Sequence, residues 1–168
     1  MESLLNDISQ YFEFLKESGQ ERFNISDESK TSIDEWRVSC EGDENSDVYL
    51  IDSKSAFFSG ESGALLIKIL QAMNLTKESV CICDISSPKA LKKRIKRKKP
   101  KVIITLGQES ADLIINNNTR LEYFRGRVHE FYGIKVMPTW HPLNLLQNPD
   151  KKRDVWEDMK IVMKFLGL

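Results

Sequence analysis

The chain has 168 residues, of which 40% are hydrophobic and 30% are charged, and its formal net charge at pH 7 is zero. This length supplies one hydrophobic core of ordinary size, so we expect a single globular domain. No apolar run reaches the roughly 18 residues that a membrane-spanning helix needs, and the acidic N-terminus does not have the pattern of a signal peptide. We therefore expect a cytoplasmic protein without a membrane partner.

The zero net charge conceals an uneven distribution along the chain. Residues 1–47 hold 13 acidic and 4 basic residues, whereas residues 48–168 hold 12 acidic and 21 basic ones. A basic surface favours binding to the phosphate backbone of nucleic acids, because each neutralised phosphate releases condensed counterions. Surface lysines that simply keep the protein soluble are the alternative.

The three cysteines are Cys40, Cys81 and Cys83, with no C-x-x-C pair and no histidine at zinc-binding spacing. This pattern predicts neither a disulfide framework nor a metal site within one chain, so we expect free thiols and no cofactor. Cys81 and Cys83 are two positions apart in a predicted strand and would share one face as small hydrophobic side chains.

Hydrophobic periodicity divides the chain into three parts. Residues 1–19 have apolar side chains at intervals of three and four, which predicts an amphipathic helix. Residues 20–47 are rich in acidic and small polar residues and predict an acidic linker. From residue 48 onwards, short apolar strands alternate with amphipathic helices. Strands are predicted at 48–51, 80–85, 102–106, 127–131 and 134–137, and helices at 63–73, 88–99, 108–116 and 151–165.

This alternation predicts the fold of the domain over residues 48–168. Strands separated by helices pair in parallel through right-handed crossovers, which places helices on both faces of one sheet. We therefore expect a three-layer α/β/α sandwich with a central, mainly parallel sheet. Ligands in such folds bind beyond the carboxyl ends of the strands. The segments at 52–60, 84–88, 107–110 and 139–146 follow predicted strands and should meet at that edge.

The segment from residue 123 carries the most specific motif of the chain. It reads YFRGRVHEFYGIKVMPTWHPLNLLQNP, a predicted hairpin followed by a His-Pro loop. This segment resembles the RGRxHEYxGIxVMPTYHPxxLLRNP stretch of family 4 uracil-DNA glycosylases, and residues 57–66 (FFSGESGALL) are similar to the family's PFVGRAGQLL. The resemblance runs from about Tyr49 to the C-terminus. It implies a hydrolase that removes uracil or another deaminated base from DNA in base excision repair.

The resemblance assigns three residues to the tasks of such an enzyme, and a fourth, Asp52, could substitute for a residue of the family that this chain lacks. His141, at the mouth of a strand-to-helix loop, would stabilise the leaving base. Phe58 would stack on the flipped base, with an ordinary core aromatic as the alternative. Asp84 stands where the family has an Asn that reads the base. An ionised carboxylate only accepts hydrogen bonds, whereas a protonated carboxyl also donates one. A helix cap or a loop hydrogen bond is the alternative role of Asp84. Asp52 is the acid left to orient the attacking water, with a surface turn as the alternative.

The chain departs from the family's pattern in the parts that perform chemistry. Ile51 is followed by a shorter loop without the family's Gly-Glu-x-Pro-Gly sequence. Three cysteines cannot ligate the family's four-cysteine iron–sulfur cluster. Leu143 and Gln147 replace a serine and an arginine that could contact phosphates. This degenerate pattern leaves an alternative function, a catalytically inactive glycosylase fold that binds nucleic acid or a protein partner.

DNA, single- or double-stranded, is the expected partner of a monomeric protein. Arg125 and Arg127 of the matched segment would follow the phosphate backbone. Either Leu145 or Leu146 would wedge between bases. His129 matches a histidine of the family within the hairpin, and we expect it to be structural.

A basic helix provides further candidate DNA contacts. Nine positive charges lie within the 13 residues from Lys89 to Lys101. Because like charges one turn apart destabilise a helix, such density predicts a function, and contact with nucleic acid through residues such as Lys92 and Lys96 is the natural one. Pairing with the acidic residues 20–47, or a solvated helix face, is the alternative.

Overall fold

The structure of the protein is a computed structural model that describes residues 38–54, 57–116 and 119–168, together with the two helical, exposed residues Glu13 and Glu17. The chain divides into two compact units, residues 1–33 and 34–168. The predicted helix over residues 1–19 and the acidic segment up to residue 37 otherwise lie outside the described residues.

The second unit alternates strands and helices as predicted. Every strand and helix predicted from residue 48 onwards is present with small shifts of its ends, and β1, α4 and α5 are additional to the predicted elements. In chain order the elements are β1 (Cys40–Gly42), β2 (Val48–Asp52), α1 (Gly60–Ala72), β3 (Cys81–Asp84), α2 (Pro88–Lys98), β4 (Val102–Leu106), α3 (Gln108–Ile115), α4 (Leu121–Phe124), β5 (His129–Phe131), β6 (Ile134–Thr139), α5 (Pro142–Gln147), a 3-10 turn (Pro149–Lys151) and α6 (Lys152–Leu166).

The strands form one six-stranded sheet in the order β1-β3-β2-β4-β6-β5. Strands β3, β2, β4 and β6 are parallel, and β1 and β5 pair antiparallel at the two edges. Every residue of β2 and β4 is buried, as expected for central strands covered on both faces. Within the described residues, no helix is both long and apolar enough to cross a bilayer.

Two hydrophobic clusters lie on opposite faces of the sheet. The first joins Leu50 and Ile104 to residues of α1 and α6, such as Leu70 and Met159. The second joins alternate strand residues, such as Tyr49 and Cys81, to residues of α2 and α3. Because side chains alternate between the faces of a strand, each strand contributes to both clusters. This arrangement confirms the predicted three-layer α/β/α sandwich.

Strand β1 falls in the segment predicted to be an acidic linker. Its three residues pair with β3, and the loop after it brings carboxylates to the basic helix α2. Glu44 Oε1 lies 2.7 Å from the guanidinium of Arg94 and Oε2 lies 3.6 Å from Lys98 Nζ, while Asp47 lies 2.7 Å from Lys101 Nζ. Part of the charge of the basic helix is therefore neutralised by residues of the acidic segment.

The prediction of three free thiols is wrong for two of them. Cys40 and Cys83 are direct partners across β1 and β3, and a disulfide joins them. Cys81 is a free thiol whose Sγ lies 3.7 Å from that of Cys83, on the shared face that the sequence predicts. Burial raises the pKa of the Cys81 thiol. The spacing gave no sign of the disulfide because Cys40 and Cys83 are 43 positions apart.

Candidate active site at the carboxyl edge of the sheet

The four parallel strands end at Asp52, Asp84, Leu106 and Thr139, along one edge of the sheet. A cleft of about 460 Å³ opens beside this edge. Loops that follow β2, β4 and β6 contribute to its walls, as the sequence predicts for three of the four singled-out segments. The side chains that shape its chemistry include Lys54, Gln108, Arg120, Trp140, His141 and Lys151.

His141 and Asp52 form the central contact of the site. The imidazole Nε2 lies 2.9 Å from Asp52 Oδ1, and the Asp52 side chain is almost fully buried. The same carboxylate oxygen accepts a hydrogen bond of 2.8 Å from the backbone N–H of Lys54. Asp52 therefore takes part in a turn with Lys54, as the structural alternative for this residue predicts, and it also contacts His141, the predicted catalytic histidine.

The hydrogen bonds of His141 define its tautomer. The backbone N–H of Leu143 donates to Nδ1 over 3.0 Å, so Nδ1 carries the lone pair. The ring proton therefore resides on Nε2, which donates to Asp52. His141 is also the N-cap of α5 and is followed by Pro142 at the first helical position. This start of a helix fixes the imidazole with its N–H directed at the carboxylate.

Gly107 allows the His141 loop to approach β4. Its φ is +87° and its backbone N–H donates to Thr139 over 2.9 Å. A Cβ at this position would lie 3.2 Å from Cβ of His141. Sequence reasoning did not single out this glycine as a site residue, although a glycine between a strand and a helix is a known sign of close backbone approach.

Two carboxylates of α6 hold the end of β6 ahead of His141. Asp158, fully buried, accepts hydrogen bonds from Thr139 Oγ1 (2.7 Å) and from the guanidinium of Arg125 (2.8 Å). Burial raises the pKa of Asp158 even though both partners favour its ionised form. Asp154 accepts from Trp140 Nε1 over 3.2 Å. The His-Pro loop thus begins from an anchored strand.

This anchor corrects the role predicted for Arg125. Its guanidinium is committed to Asp158 and to the backbone carbonyl of Asp154, and it is mostly buried, so it braces α6 and is not placed to follow a DNA backbone. Arg127 is exposed, as its predicted role requires. His129 contacts the carbonyl oxygen of Phe124 through Nε2 over 2.9 Å, which is the structural role expected of it.

Phe58 lies on the α1 and α6 face of the sheet, half-buried against the first cluster. The residue before it, Phe57, has φ of +41°, an uncommon conformation for a bulky side chain. Gly63 permits this turn, because a Cβ there would lie 2.1 Å from the carbonyl carbon of Phe58. Phe58 is outside the lining of the cleft, so the structure does not bring it to His141 there.

Asp84 pairs with Asp52 in the register of β2 and β3, so the two carboxylates lie on the same face at neighbouring strand ends. Asp84 is buried, and its Oδ1 accepts a hydrogen bond of 2.9 Å from Ser86 Oγ. This loop hydrogen bond matches the structural alternative for Asp84. Like Phe58, it does not line the cleft.

The wedge predicted at Leu145 is wrong, because this side chain is 1% exposed and belongs to the first cluster. Leu146, the other candidate, is exposed, and so is Leu143, which lines the cleft. The orientation of α5 on the core buries Leu145 and exposes Leu146. Because α5 has only six residues, its hydrophobic periodicity does not reveal this orientation from the sequence.

Two further cleft residues escaped sequence reasoning. Gln108 donates to Asp112 and to the carbonyl of Thr119 and accepts from the backbone N–H of Leu121 over 2.6 Å, so it pins the loop that carries Arg120. The amine of Lys151 lies 3.7 Å from the ring centroid of Trp140. Gln108 lies in the segment 107–110 that the sequence predicts at this edge, but its contacts and that of Lys151 are tertiary and have no local sequence signal.

Comparison with known proteins identifies the family. The model of the uracil DNA glycosylase superfamily matches residues 42–160. The chain is 26% identical over 136 residues to the type-4 uracil-DNA glycosylase of Saccharolobus solfataricus, covering 66% of this chain and 63% of that protein. It is 33% identical over 78 residues to an uncharacterized protein of Borreliella burgdorferi, covering 46% of this chain and 38% of that protein. The chain belongs to the uracil DNA glycosylase superfamily, close to family 4, and spans less than two thirds of either relative.

The iron–sulfur cluster that the resemblance implies does not fit these residues. The sequence holds three cysteines, and a disulfide already joins Cys40 and Cys83. After the end of β3, where the family has a ligating cysteine, this chain has Ile85, Ser86 and Ser87. No chemistry of this site is therefore assigned to such a cluster.

Proposed function

We propose that the protein is a DNA glycosylase that hydrolyses the N-glycosidic bond of uracil or another deaminated base in base excision repair. One observation carries this proposal: the Nε2–H of His141 and the carboxylate of Asp52 meet at the carboxyl edge of the sheet, 2.9 Å apart. A donor for the leaving base and an anion for the sugar are the two groups that this hydrolysis needs.

His141 acts on the leaving base. As the bond between the sugar carbon and the base nitrogen breaks, its electron pair moves onto the base and charge develops on a carbonyl oxygen. The Nε2–H turns from Asp52 to this oxygen and stabilises it, while the N–H of Leu143 continues to hold Nδ1. The donor is thus exchanged between two acceptors without a change of tautomer.

Asp52 acts on the sugar and on water. Its Oδ1 keeps the N–H of Lys54, and loss of the His141 contact leaves the carboxylate able to accept a hydrogen bond from water. Its charge stabilises the cationic sugar, the water oxygen bonds to the sugar carbon, and the carboxylate takes the proton released. Solvent returns a proton to the base anion.

Phe58 and Asp84 are the proposed base contacts. Asp84 lies at the strand end beside Asp52, and Phe58 packs on the same face of the sheet. In this role Phe58 stacks on the flipped ring, and Asp84 contacts the hydrogen-bonding edge of that ring. The DNA backbone is contacted by Arg127, Lys92 and Lys96. The protein acts as a monomer in the cytoplasm.

Base excision tests this function directly. The full chain is incubated with labelled single- and double-stranded oligonucleotides that contain uracil, hypoxanthine or xanthine. We expect His141→Ala to lower the excision rate by about 10²–10³-fold, the usual cost of losing a donor to a developing anion, while DNA affinity is retained. Asn144→Ala, in the same cleft but outside the proposed machinery, is the matched control. Absence of excision by the unmodified protein under conditions where it binds the DNA would contradict the proposal.

A second function is favoured by the contacts of Asp84. Its buried carboxylate is bonded to Ser86 and replaces the amide that the family uses to read a base. A catalytically inactive module that binds nucleic acid or a protein would have this feature. Salt-sensitive DNA binding without excision would support it, and neither binding nor excision would point to a protein partner.

A further inference from the structure

The three cysteines converge on one point of the sheet, away from the proposed active site. Their sulfur atoms all lie within 4.8 Å of one another. Cys81 and Cys83 project from β3 towards α2, whereas Asp84 and Asp52 project towards the opposite face. The cluster is therefore separated from the His141 site by the sheet itself.

The spacing of these sulfurs suits a metal ion. A zinc–sulfur bond of about 2.3 Å places two ligands of a tetrahedral ion about 3.8 Å apart. The sulfurs of Cys81 and Cys83 are already 3.7 Å apart on a rigid, fully buried strand. Cys40 is held opposite Cys83 by the β1–β3 pairing, and its sulfur lies within 4.8 Å of the other two.

We propose that the reduced protein binds one thiophilic d¹⁰ cation, Zn²⁺ or Cu⁺, through the thiolates of Cys40, Cys81 and Cys83. Soft thiolate ligands select these ions over harder divalent cations. No fourth histidine, cysteine or carboxylate of the described residues joins the group. Cu⁺ is satisfied by three sulfurs, and Zn²⁺ takes a water from the half-exposed side of Cys40.

Neighbouring side chains complement the charge of such a site. Three thiolates leave a Zn²⁺ complex with one negative charge and a Cu⁺ complex with two. The guanidinium of Arg94 and the hydroxyl of Tyr49 lie beside Cys81 and interact with its sulfur. Arg94 is buried, so its positive charge acts on the site at short range, although the Glu44 carboxylate paired with it offsets part of that charge.

The disulfide and the metal are alternative states of the cluster. Two molecules of a small thiol reduce the Cys40–Cys83 disulfide, giving two cysteine thiols and one small-molecule disulfide. The cation then displaces the three thiol protons, which pass to solvent. The reverse exchange, in which the small-molecule disulfide is reduced to two thiols, re-forms the Cys40–Cys83 bond, removes two of the three ligands and releases the ion.

The test uses the full chain, reduced with a phosphine, desalted without oxygen and titrated with Cd²⁺. We expect a thiolate-to-metal charge-transfer band that saturates at one ion per chain and is displaced by Zn²⁺ or by chelator-buffered Cu⁺, which identifies the preferred ion. Cys81→Ala leaves the other two sulfurs, and we expect its affinity to fall on the order of 100-fold or more, beyond the cost of losing an outer partner.

The oxidised protein is the control that needs no substitution. With the disulfide intact, Cys81 is the one remaining thiol of the sequence, and no band should form. Melting curves of oxidised Cys81→Ala and oxidised unmodified protein check that the variant folds. Equal Cd²⁺ affinity of the reduced variant and the reduced unmodified protein would overturn the proposal, and so would a reduced protein that shows no band or a band that neither Zn²⁺ nor Cu⁺ displaces.

Discussion

The contact between Gly107 and His141 shows how a single hydrogen atom in place of a side chain positions the site. With φ of +87° and ψ of 178°, Gly107 occupies a region of backbone conformation that is essentially restricted to glycine. Any Cβ would press on the His141 side chain at 3.2 Å. A substitution at Gly107 would therefore strain the backbone at this position and also push on the side chain of His141.

We expect Gly107→Ala to lower the free energy of unfolding by about 1–3 kcal/mol and to displace the imidazole from Asp52. Chemical denaturation measures the first effect, and the NMR signal of the His141 Nε2–H measures the second. If the protein excises bases, the rate should fall about tenfold, because catalysis is sensitive to small misplacements. Gly133→Ala is the control, since its φ is +81° but its Cβ would meet nothing within 4 Å. Equal His141 signals in the two variants would contradict this argument.

Arg94 and Glu44 form an ion pair with one buried partner. The side chain of Arg94 is 7% exposed, whereas that of Glu44 is 56% exposed. The hydrogen bond from Arg94 holds the pKa of the Glu44 carboxyl below its ordinary value, although partial burial opposes this. The pair's contribution to stability is thus present above the ordinary carboxyl pKa and is lost as pH falls through the lowered pKa.

Glu44→Gln should destabilise the fold by about 1–3 kcal/mol at neutral pH, because it leaves a buried guanidinium without its counter-charge. Below the ordinary carboxyl pKa, the free energy of unfolding of the variant should fall less steeply with decreasing pH than that of the unmodified protein. Denaturation at several pH values checks both. Glu157→Gln breaks an ion pair of the same 2.7 Å length between exposed side chains and should cost less than about 0.5 kcal/mol. Equal losses in the two variants would show that the burial of Arg94 has no effect.

At the scale of elements, helix α2 divides its positive charges between two sides. Arg94 and Lys98 face the acidic loop after β1, where Glu44 pairs with both. Lys92 and Lys96 lie one turn apart on the other side, and the amine of Lys96 rests 3.6 Å from the ring centroid of the exposed Tyr132. The charge density seen in the sequence therefore serves both folding and a basic surface.

Removing the charges of the second side should weaken DNA binding. We expect Lys92→Ala/Lys96→Ala to lower the affinity and to reduce the slope of log affinity against log salt by about 1.8, or about 0.9 for each lost phosphate contact. Fluorescence anisotropy at several salt concentrations measures this slope. The matched control is Lys98→Ala/Lys101→Ala, whose amines already pair with Glu44 and Asp47. A larger effect of the control pair would place the DNA elsewhere.

The predictability of the elements follows from their length and composition. The buried runs at 48–51 and 102–106 are continuous and mostly apolar, so they were predicted closely. β1 reads Cys-Glu-Gly, three residues without a periodic pattern, and its sheet position depends on pairing with β3. The helix α5 was not predicted because its six residues are also too few to show a periodic pattern. The burial of Leu145 on this helix was therefore not predicted either.

At the scale of the whole molecule, the N-terminal segment before β1 is still acidic and the rest of the chain is basic. Residues 1–37 hold nine acidic and four basic residues, so the remainder of the chain carries a net charge of +5. Because the acids of residues 41–47 belong to the β1 region and its ion pairs, a deletion that spares them separates electrostatics from folding.

Deletion of residues 1–37 should tighten DNA binding at low salt, because it removes net negative charge that repels the phosphate backbone. The gain should shrink between about 50 and 200 mM salt as screening increases. Anisotropy measurements on the full chain, the deletion and a full chain with the nine acids changed to amides test this. The amide variant keeps the four basic residues of this segment and has a net charge of +9, so it should bind at least as tightly as the deletion. An unchanged affinity in both would contradict an electrostatic role for this segment.

The sequence by itself determined the α/β/α architecture and the family. Periodic apolar segments specify strands and helices, and the matched His-Pro segment is contiguous in the chain, so both can be read locally. His141 and Asp52 could each be named as candidates on this basis.

Only the tertiary structure decided which of these residues act together. Asp52 and His141 are 89 positions apart, Cys40 and Cys83 are 43 apart, and Arg125 meets Asp158 from a different element. Such contacts arise from the order of strands and the packing of helices on the sheet, which periodicity does not encode. The carboxylate–histidine pair, the cysteine cluster and the structural role of Arg125 are therefore consequences of the assembled fold.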